Sequence, residues 1–284
     1  MKGLLSVCVI FGLLIASPAQ SQELYDDFTG PLLSSQKWFA NRLVGNNISN
    51  VLEFGQVITK KKLDMFNHCS GSILDGNSGT TTCSIRLIMQ NGSDVTAMEA
   101  FVQPIALEQT TCSENNIGST WIRLGGAFFN SSGVAPANQV NDVQAYIALR
   151  RNANSIEELN VLHIEGHVLK CTEGTSCATS ENVTNLNGLG NPIDLGTITV
   201  KKKVLLKLVH DPDNNRFVFT QGKGKKAVEK EIVYGEEENF PPYLSNGGYK
   251  RLEVRHSLAN CSPVAASSWV RANFDNFYVT KPEK

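Results

Sequence analysis

The segment His163-Ile-Glu165-Gly-His167 carries the residue types best suited to metal chemistry in this 284-residue chain. Side chains two apart in a β-strand point to the same side, so a strand here would place two imidazoles and one carboxylate on one face. These groups are ligands for a divalent ion such as Zn²⁺. Alternate residues lie about 6.6 Å apart along a strand, so the three side chains converge on one ion only if the strand bends. We therefore predict a solvent-facing stripe, with metal binding by His163, Glu165 and His167 as the alternative.

A second candidate for ion binding is Asp211-Pro-Asp213-Asn-Asn215, which offers the oxygen ligands that Ca²⁺ prefers. The distal bidentate glutamate of an EF-hand loop is missing at the required spacing. Asp, Asn and Pro also favour tight turns, because they bond their own backbone or fix φ. We predict a hairpin turn here and no bound cofactor, with calcium or zinc as the alternatives.

Aromatic side chains offer a different chemistry, since their faces can stack on sugar rings. Tyr243 and Tyr249 lie in a predicted loop, directly after Pro241-Pro242 and after Gly247-Gly248 respectively. Loops carry binding residues more often than scaffold strands do, so these two tyrosines are the candidates for ligand contact. The three tryptophans are predicted to be core residues: Trp38, Trp121 and Trp269.

The first 19 residues have the features of a secretion signal. Lys2 precedes an apolar run from Leu4 to Ile15, and small residues follow it up to Ala19. The run is shorter than the about 20 residues that a membrane-spanning helix needs. We predict a signal peptide over 1–19, cleaved after Ala19 or as late as Ser21. The mature chain would be secreted or periplasmic, with no membrane span.

The cysteines fit such a compartment. Six follow the predicted signal, namely Cys69, Cys83, Cys112, Cys171, Cys177 and Cys261. An even number in an exported chain implies disulfides, with fifteen connectivities open. The short Gly-containing segment between Cys171 and Cys177 favours that pair. Strand-end positions suggest Cys83 with Cys112, which leaves Cys69 for Cys261. A zinc–thiolate site would need short paired spacings that this chain lacks.

Nucleic acid is excluded as a partner by the charge balance. The chain holds 26 basic and 27 acidic residues, and its lysine clusters are short and scattered. Nucleic-acid binding needs a strongly basic face, which this balance does not provide.

Short apolar runs separated by polar turns fill the mature chain, and we predict a single all-β domain over 23–281. The clearest hairpin runs from Val204 to Phe219. Side chains two apart share a face, so Leu206 and Leu208 should point into the core while Lys207 points to solvent. The likeness of 25–28 (YDDF) to 274–277 (FDNF) suggests that the first and last strands lie side by side.

The opening LYDDFTGPLLSSQKW and the close VRANFDNFYV resemble the first and last strands of secreted concanavalin A-like jelly-roll domains, the superfamily of lectins and glucanases. Middle segments such as WIRLGGAFFN resemble strands of exported bacterial proteins of this type. The resemblance implies a two-sheet antiparallel jelly-roll sandwich and, by analogy, glycan binding or glycan hydrolysis.

Hydrolysis is disfavoured by a missing motif. Glucanases of the laminarinase kind carry E-hydrophobic-D-x-x-E on one strand, and this chain has no such string. It also lacks a G-x-S-x-G nucleophile motif. We predict an exported, non-catalytic protein that binds a glycan or another extracellular polymer. The alternatives are a glycoside hydrolase-like enzyme with a dispersed site and a structural or surface-assembly protein.

Overall fold

The structure is a computed structural model that describes residues 20–45, 48–73, 79–92, 94–110, 118–127, 142–152, 160–172, 180–236 and 250–282. Within these ranges the chain forms strands almost throughout. In chain order they are β1 (Gln20–Asp26), β2 (Trp38–Gly45), β3 (Val51–Ile58), β4 (Leu63–Ser70), β5 (Thr80–Met89), β6 (Ala97–Gln109), β7 (Ser119–Gly126), β8 (Val143–Asn152), β9 (Val161–Cys171), β10 (Ser180–Asn182), β11 (Ile193–Thr199), β12 (Val204–Asp211), β13 (Arg216–Gln221), β14 (Val228–Val233), β15 (Lys250–Ala259) and β16 (Ser267–Pro282).

The strands form two antiparallel sheets. The first sheet has the order β14-β13-β12-β6-β16-β4-β3, with β1 also paired to β16. The second sheet has the order β10-β9-β8-β7-β15-β5-β2, with β11 also paired to β9. The inward side chains of both sheets share one apolar core. The predicted all-β, two-sheet jelly-roll sandwich is therefore confirmed. No helix in the described ranges is long and apolar enough to cross a membrane.

The hairpin of β12 and β13 shows how alternation builds that core. Leu206 and Leu208 are fully buried, whereas Lys207 between them is partly exposed. Phe219 lies directly opposite Leu208 on β13 and is also buried. One 3₁₀ turn, Pro212–Asn214, joins the strands. The predicted hairpin and its facing are confirmed.

The two ends of the domain lie side by side, as their sequence likeness predicts. β1 pairs with β16, and Leu24 faces Tyr278. The Asp26 carboxylate accepts hydrogen bonds from Trp38 Nε1 at 2.7 Å and from the Phe28 backbone N–H at 2.9 Å. Trp38 is only 2% exposed, so its predicted place in the core is confirmed. The acid of the opening motif thus fixes a core tryptophan.

The disulfides differ from those predicted. Cys69 on β4 pairs with Cys83 on β5, with a Cα–Cα distance of 6.4 Å. The proposed pairs of Cys69 with Cys261 and of Cys83 with Cys112 are therefore wrong. The physical reason is that β4 and β5, consecutive in the chain, lie in opposite sheets. Their facing ends are close enough to bridge.

Of the other predicted disulfide, only Cys171 lies within the described residues. Cys171 and Cys261 are each in a disulfide whose other cysteine lies outside the described residues. Cys177 and Cys112 lie outside the described residues, so the Cys171–Cys177 pair stays a prediction.

One polar link crosses the core. His256 on β15 is fully buried, and its Nε2 lies 2.9 Å from the Asn67 backbone oxygen of β4. A carbonyl only accepts hydrogen bonds, so Nε2 carries the proton and Nδ1 accepts from the Thr120 hydroxyl at 2.9 Å. The neutral imidazole therefore joins the two sheets.

Candidate functional site on the outer face of the second sheet

Three residues predicted as a stripe or metal site lie on β9, with intermediate exposure at His163 and Glu165. Glu165 Oε2 accepts from His167 Nε2 at 3.0 Å and from Arg150 Nη1 at 3.2 Å. Within the described residues, no three His, Cys, Asp or Glu side chains are grouped to hold a metal ion. The other predicted site residues, Tyr243 and Tyr249, lie outside the described residues, so their role stays a prediction.

The stripe on β9 belongs to a larger surface. Cross-strand pairing aligns Arg150, Trp121 and Arg255 in a row across β8, β7 and β15. A parallel row, two residues away on β7 and on β15, contains Arg123 and Glu253. We define the basic face as the outward side chains of the second sheet: Arg86, Trp121, Arg123, Tyr146, Arg150, Glu165, His167, Arg251, Glu253 and Arg255.

The middle of the basic face is a shared ion cluster. Glu253 is fully buried and accepts hydrogen bonds from Arg86 at 2.9 Å, from Arg123 at 2.8 Å and from Arg251 at 2.7 Å. Burial alone would raise the pKa of Glu253, but the guanidinium groups hold that pKa well below its usual range. Glu253 is therefore a fixed anion, unsuited to donate a proton.

Positive charge exceeds negative charge on this face. Its five arginines stand against two glutamates, which leaves an excess of three positive charges when His167 is neutral. Burial, together with neighbouring guanidinium groups, lowers the pKa of Arg251 and Arg255 to about 10 each. The Nε atoms of Arg150 and Arg255 are buried without a hydrogen-bond partner among the described residues. The described residues of the basic face therefore carry more positive charge than their two glutamates neutralise.

Trp121 lies at the centre of this excess. The guanidinium carbons of Arg150 and Arg255 are each 5.5 Å from its ring centroid. Such contacts are cation–π interactions. The indole is partly exposed and lies outside the apolar core, so its predicted core position is wrong. Ile122 on the same strand fills the inward position, and alternation then turns Trp121 outward.

A second aromatic group extends the face. Tyr146 stacks on His167 with ring centroids 4.6 Å apart, and the Arg123 guanidinium lies 4.5 Å from the tyrosine ring centroid. Burial lowers the pKa of His167, although the hydrogen bond to Glu165 opposes that shift. A neutral His167 donates its Nε2 proton to Glu165, which orients both side chains. For Glu165, burial raises the pKa, but His167 and Arg150 together lower it below its usual value.

Sequence reasoning missed the basic face, although a signal exists. Arg251-Leu-Glu253-Val-Arg255 alternates charged and apolar residues with a period of two. That pattern identifies a strand with a charged outer face. It does not reveal which other strands lie beside it, because Arg86 and Arg123 reach Glu253 only through long-range strand pairing.

Comparison with known proteins gives no family, but it gives likenesses to solved structures. No protein-family model matches the sequence, and no curated protein matches it. Among solved structures, a β-1,3-glucanase from Mycobacterium marinum is similar at 12% identity with a TM-score of 0.38, covering 93% of this chain and 99% of that one. A Bauhinia forficata lectin in complex with GalNAc is similar at 8% identity with a TM-score of 0.30, covering 94% and 100%. At these TM-scores the fold assignment rests on the two sheets themselves.

Proposed function

We propose that this protein binds an acidic extracellular glycan on the basic face, without catalysis. The observation that carries the proposal is the excess of arginine around an outward tryptophan. An anionic ligand would supply the negative charge that this cluster lacks. Arginine is suited to that task, because its planar fork bonds carboxylates and sulfates through two donors.

The aromatic groups favour a carbohydrate as the carrier of that charge. The ring of Trp121 is partly exposed, and the two guanidinium groups over it leave its accessible apolar surface between two cations. A uronic acid or sulfated sugar presents an apolar ring face together with an anionic substituent. Trp121 could contact the former while Arg150 and Arg255 bind the latter. A simple inorganic anion would use only the arginines.

The absence of catalysis is inferred from the two glutamates of the face. Glu165 and Glu253 belong to strands three positions apart, with β8 and β7 between them. Strand spacings of about 4.8 Å place their Cα atoms about 14 Å apart. Glycoside hydrolysis uses a pair of carboxyl groups, one of them with a raised pKa. Both glutamates instead have lowered pKa values.

The decisive experiment is calorimetric titration of the mature protein with polygalacturonate, with dextran sulfate and with neutral dextran. We expect the two acidic polymers to bind and neutral dextran not to bind. Affinity for the acidic polymers should fall with rising salt, because screening weakens exposed charge contacts. Trp121→Ala should weaken binding about tenfold, in line with the loss of one aromatic contact.

Two control variants separate site-specific binding from general charge attraction. Lys225→Gln with Lys226→Gln removes two positive charges from the turn before β14, far from the basic face in the sheet order. Trp269→Ala removes a tryptophan from the first sheet. Both should bind acidic polymer as the unmodified chain does. Equal binding of neutral dextran, or release of reducing ends from any of the polymers, would contradict the proposal.

We also propose that the protein is exported. The predicted signal over 1–19 and the disulfide between Cys69 and Cys83 support this. All six mature cysteines should then be oxidised. Thiol titration of the unfolded, unreduced mature protein should detect no free thiol. Two or more free thiols per chain would contradict it.

A further inference from the structure

The two edges of the first sheet end in different ways. At one edge, a neighbouring segment uses the carbonyl groups of β14. The Leu186 backbone N–H donates to Val233 O at 2.7 Å, and Asn187 Nδ2 lies 2.7 Å from the β14 carbonyl two residues earlier. At the other edge, β3 pairs with β4, and no further strand of the described residues pairs with its free side. An open edge strand can pair with a strand of another chain.

The strand β3 lacks the features that keep edge strands from pairing. Its sequence VLEFGQVI contains no proline and one charged residue, Glu53. Three of its apolar side chains face water, because Leu52, Phe54 and Val57 are 58%, 42% and 46% exposed. Long apolar edges favour pairing, whereas proline and inward charges oppose it. The composition of β3 therefore favours a partner strand.

Phe54 shows that the core is not closed at this edge. It lies opposite Asn67, whose buried side-chain amide donates to the Cys83 carbonyl of the opposite sheet at 3.4 Å. Residues opposite each other in a pair of strands point to the same side, so the Phe54 ring also points inward. An inward ring that stays exposed would be covered by the inward side chains of a strand beside β3.

The charges around β3 favour a second copy of this chain as the partner. Glu53 lies near the beginning of the strand, and Lys60, Lys61 and Lys62 follow its end. None of these four side chains has an ion pair within the described residues. A two-fold axis pairs a strand with its own copy in the antiparallel direction. Each Glu53 would then lie beside the lysines of the other copy.

These lysines are held at the end of β3 by a two-residue turn. The Thr59 backbone N–H donates to Lys62 O at 2.9 Å, and the Lys62 backbone N–H donates to Thr59 O at 3.1 Å. Between them, Lys60 and Lys61 have φ angles of 52° and 60°. Asparagine and glycine favour such positions, and lysine adopts them at a cost. The turn therefore keeps two exposed cations at the edge despite that cost.

We infer that two copies of this chain pair through β3 in the antiparallel direction and join their first sheets into one continuous sheet. The exposed side chains of Leu52, Phe54 and Val57 in each copy would be covered by the other. The interface is one short strand from each copy, so we expect a reversible dimer with a Kd on the order of 10 µM. No residue of β3 belongs to the basic face, so this inference does not depend on glycan binding.

The test is sedimentation velocity of the mature protein without polymer, from about 1 to about 200 µM around that Kd. We expect monomer at the lowest concentration and mainly dimer at the highest. Val57→Lys should weaken dimerisation at least about tenfold, because two lysines would meet near the axis. Leu189→Lys is the matched control, since Leu189 is 41% exposed and lies beyond the segment that covers β14. It should leave the dimer unchanged.

Charge reversal tests the direction of pairing. Glu53→Lys, and separately Lys60→Glu with Lys61→Glu, should each weaken dimerisation about fivefold. The variant with all three changes should regain the dimer. Amide hydrogen exchange over 51–58 should slow as protein concentration rises. Monomer throughout the concentration range, a dimer without added protection over 51–58, no effect of Val57→Lys in folded protein, or no regain in the triple variant would overturn the inference.

Discussion

The outer faces of the two sheets handle charge in different ways. On the first sheet, each ion pair between described residues keeps at least one side chain partly exposed, as between Arg216 and Glu231, whose side chains are each 39% exposed. On the second sheet, one buried Glu253 serves three arginines. Exposed pairs contribute little, because water solvates either partner alone. Water does not reach a shared buried ion such as Glu253. If Glu253 is lost, each arginine partner therefore keeps a buried charge without a counter-ion.

The same contrast applies to the two outward tryptophans. Trp121 lies between the guanidinium groups of Arg150 and Arg255. Trp269 lies in a cross-strand row that ends in Glu53 and Glu108. The aromatic group is the same, and only the sign of the surrounding charge differs. The two outward tryptophans therefore differ in the charge that surrounds them and not in the aromatic group.

The sharpest test of the contrast in ion pairing is Glu253→Gln. Glutamine keeps the shape but removes the charge that holds Arg86, Arg123 and Arg251 together. We expect a loss of about 3–5 kcal/mol in the free energy of unfolding, as for other broken buried ion pairs. Denaturant unfolding measures it.

Glu231→Gln is the matched change on the first sheet and should cost less than about 1 kcal/mol. Similar losses for both variants would remove the distinction between the two faces. A small loss for Glu253→Gln would also mean that the arginines are solvated where the structure buries them.

A second test concerns which side chains of β12 point into the core. Leu208 is fully buried and Lys207 is partly exposed. Leu208→Ala should cost about 2–5 kcal/mol, from lost transfer energy and the cavity left behind. Lys207→Ala should stay within about 0.5 kcal/mol. Equal shifts of the two unfolding midpoints would show that the outer face of this strand is also buried.

Between the two faces, the link through His256 should make stability depend on pH. Burial lowers the pKa of His256 to about 4, from an ordinary value near 6.5. As pH falls from about 6.5 to 4, the unfolded chain binds a proton that the folded chain does not, so stability falls with pH in this window. The shift corresponds to about 3 kcal/mol.

His256→Gln keeps a donor for Asn67 and an acceptor for Thr120 but cannot titrate. Its unfolding free energy should therefore fall less steeply over the same window. Burial lowers the pKa of His210 to about 3, so some slope should remain in the variant. Identical slopes with and without His256 would mean that its imidazole is protonated in the folded protein.

Local alternation predicted the fold class and the facing of β12, because a period of two is visible in a single strand. It did not predict the site, because a cluster such as Arg86, Arg123 and Glu253 exists only after three distant strands pair. The tryptophans show the same limit. Trp38 is held in the core by Asp26, whereas Trp121 and Trp269 point outward, and size and hydrophobicity alone do not separate these cases.

Among the arginines of the basic face, Arg255 should tolerate replacement by glutamine with little change in stability. Burial, followed by the charge of Arg123, lowers the pKa of Arg255 to about 10, so its charged form is disfavoured in the folded protein. Removing that charge relieves repulsion and loses one cation–π contact with Trp121, worth about 0.5–1 kcal/mol. The two changes oppose each other, and we expect the free energy of unfolding to change by less than about 1 kcal/mol. Affinity for polygalacturonate should nevertheless fall about tenfold, because a cation beside Trp121 is lost.

The matched variant for that test is Arg123→Gln, which removes a direct bond to Glu253. It should destabilise the protein clearly more than Arg255→Gln does, since a buried carboxylate loses one of its partners. Denaturant unfolding and calorimetric titration of both variants separate an arginine that holds the face together from one that is kept for a ligand. If Arg255→Gln lost as much stability as Arg123→Gln, the positive charge of Arg255 would serve to stabilise the folded protein. The excess positive charge of the basic face would then give no support to ligand binding there.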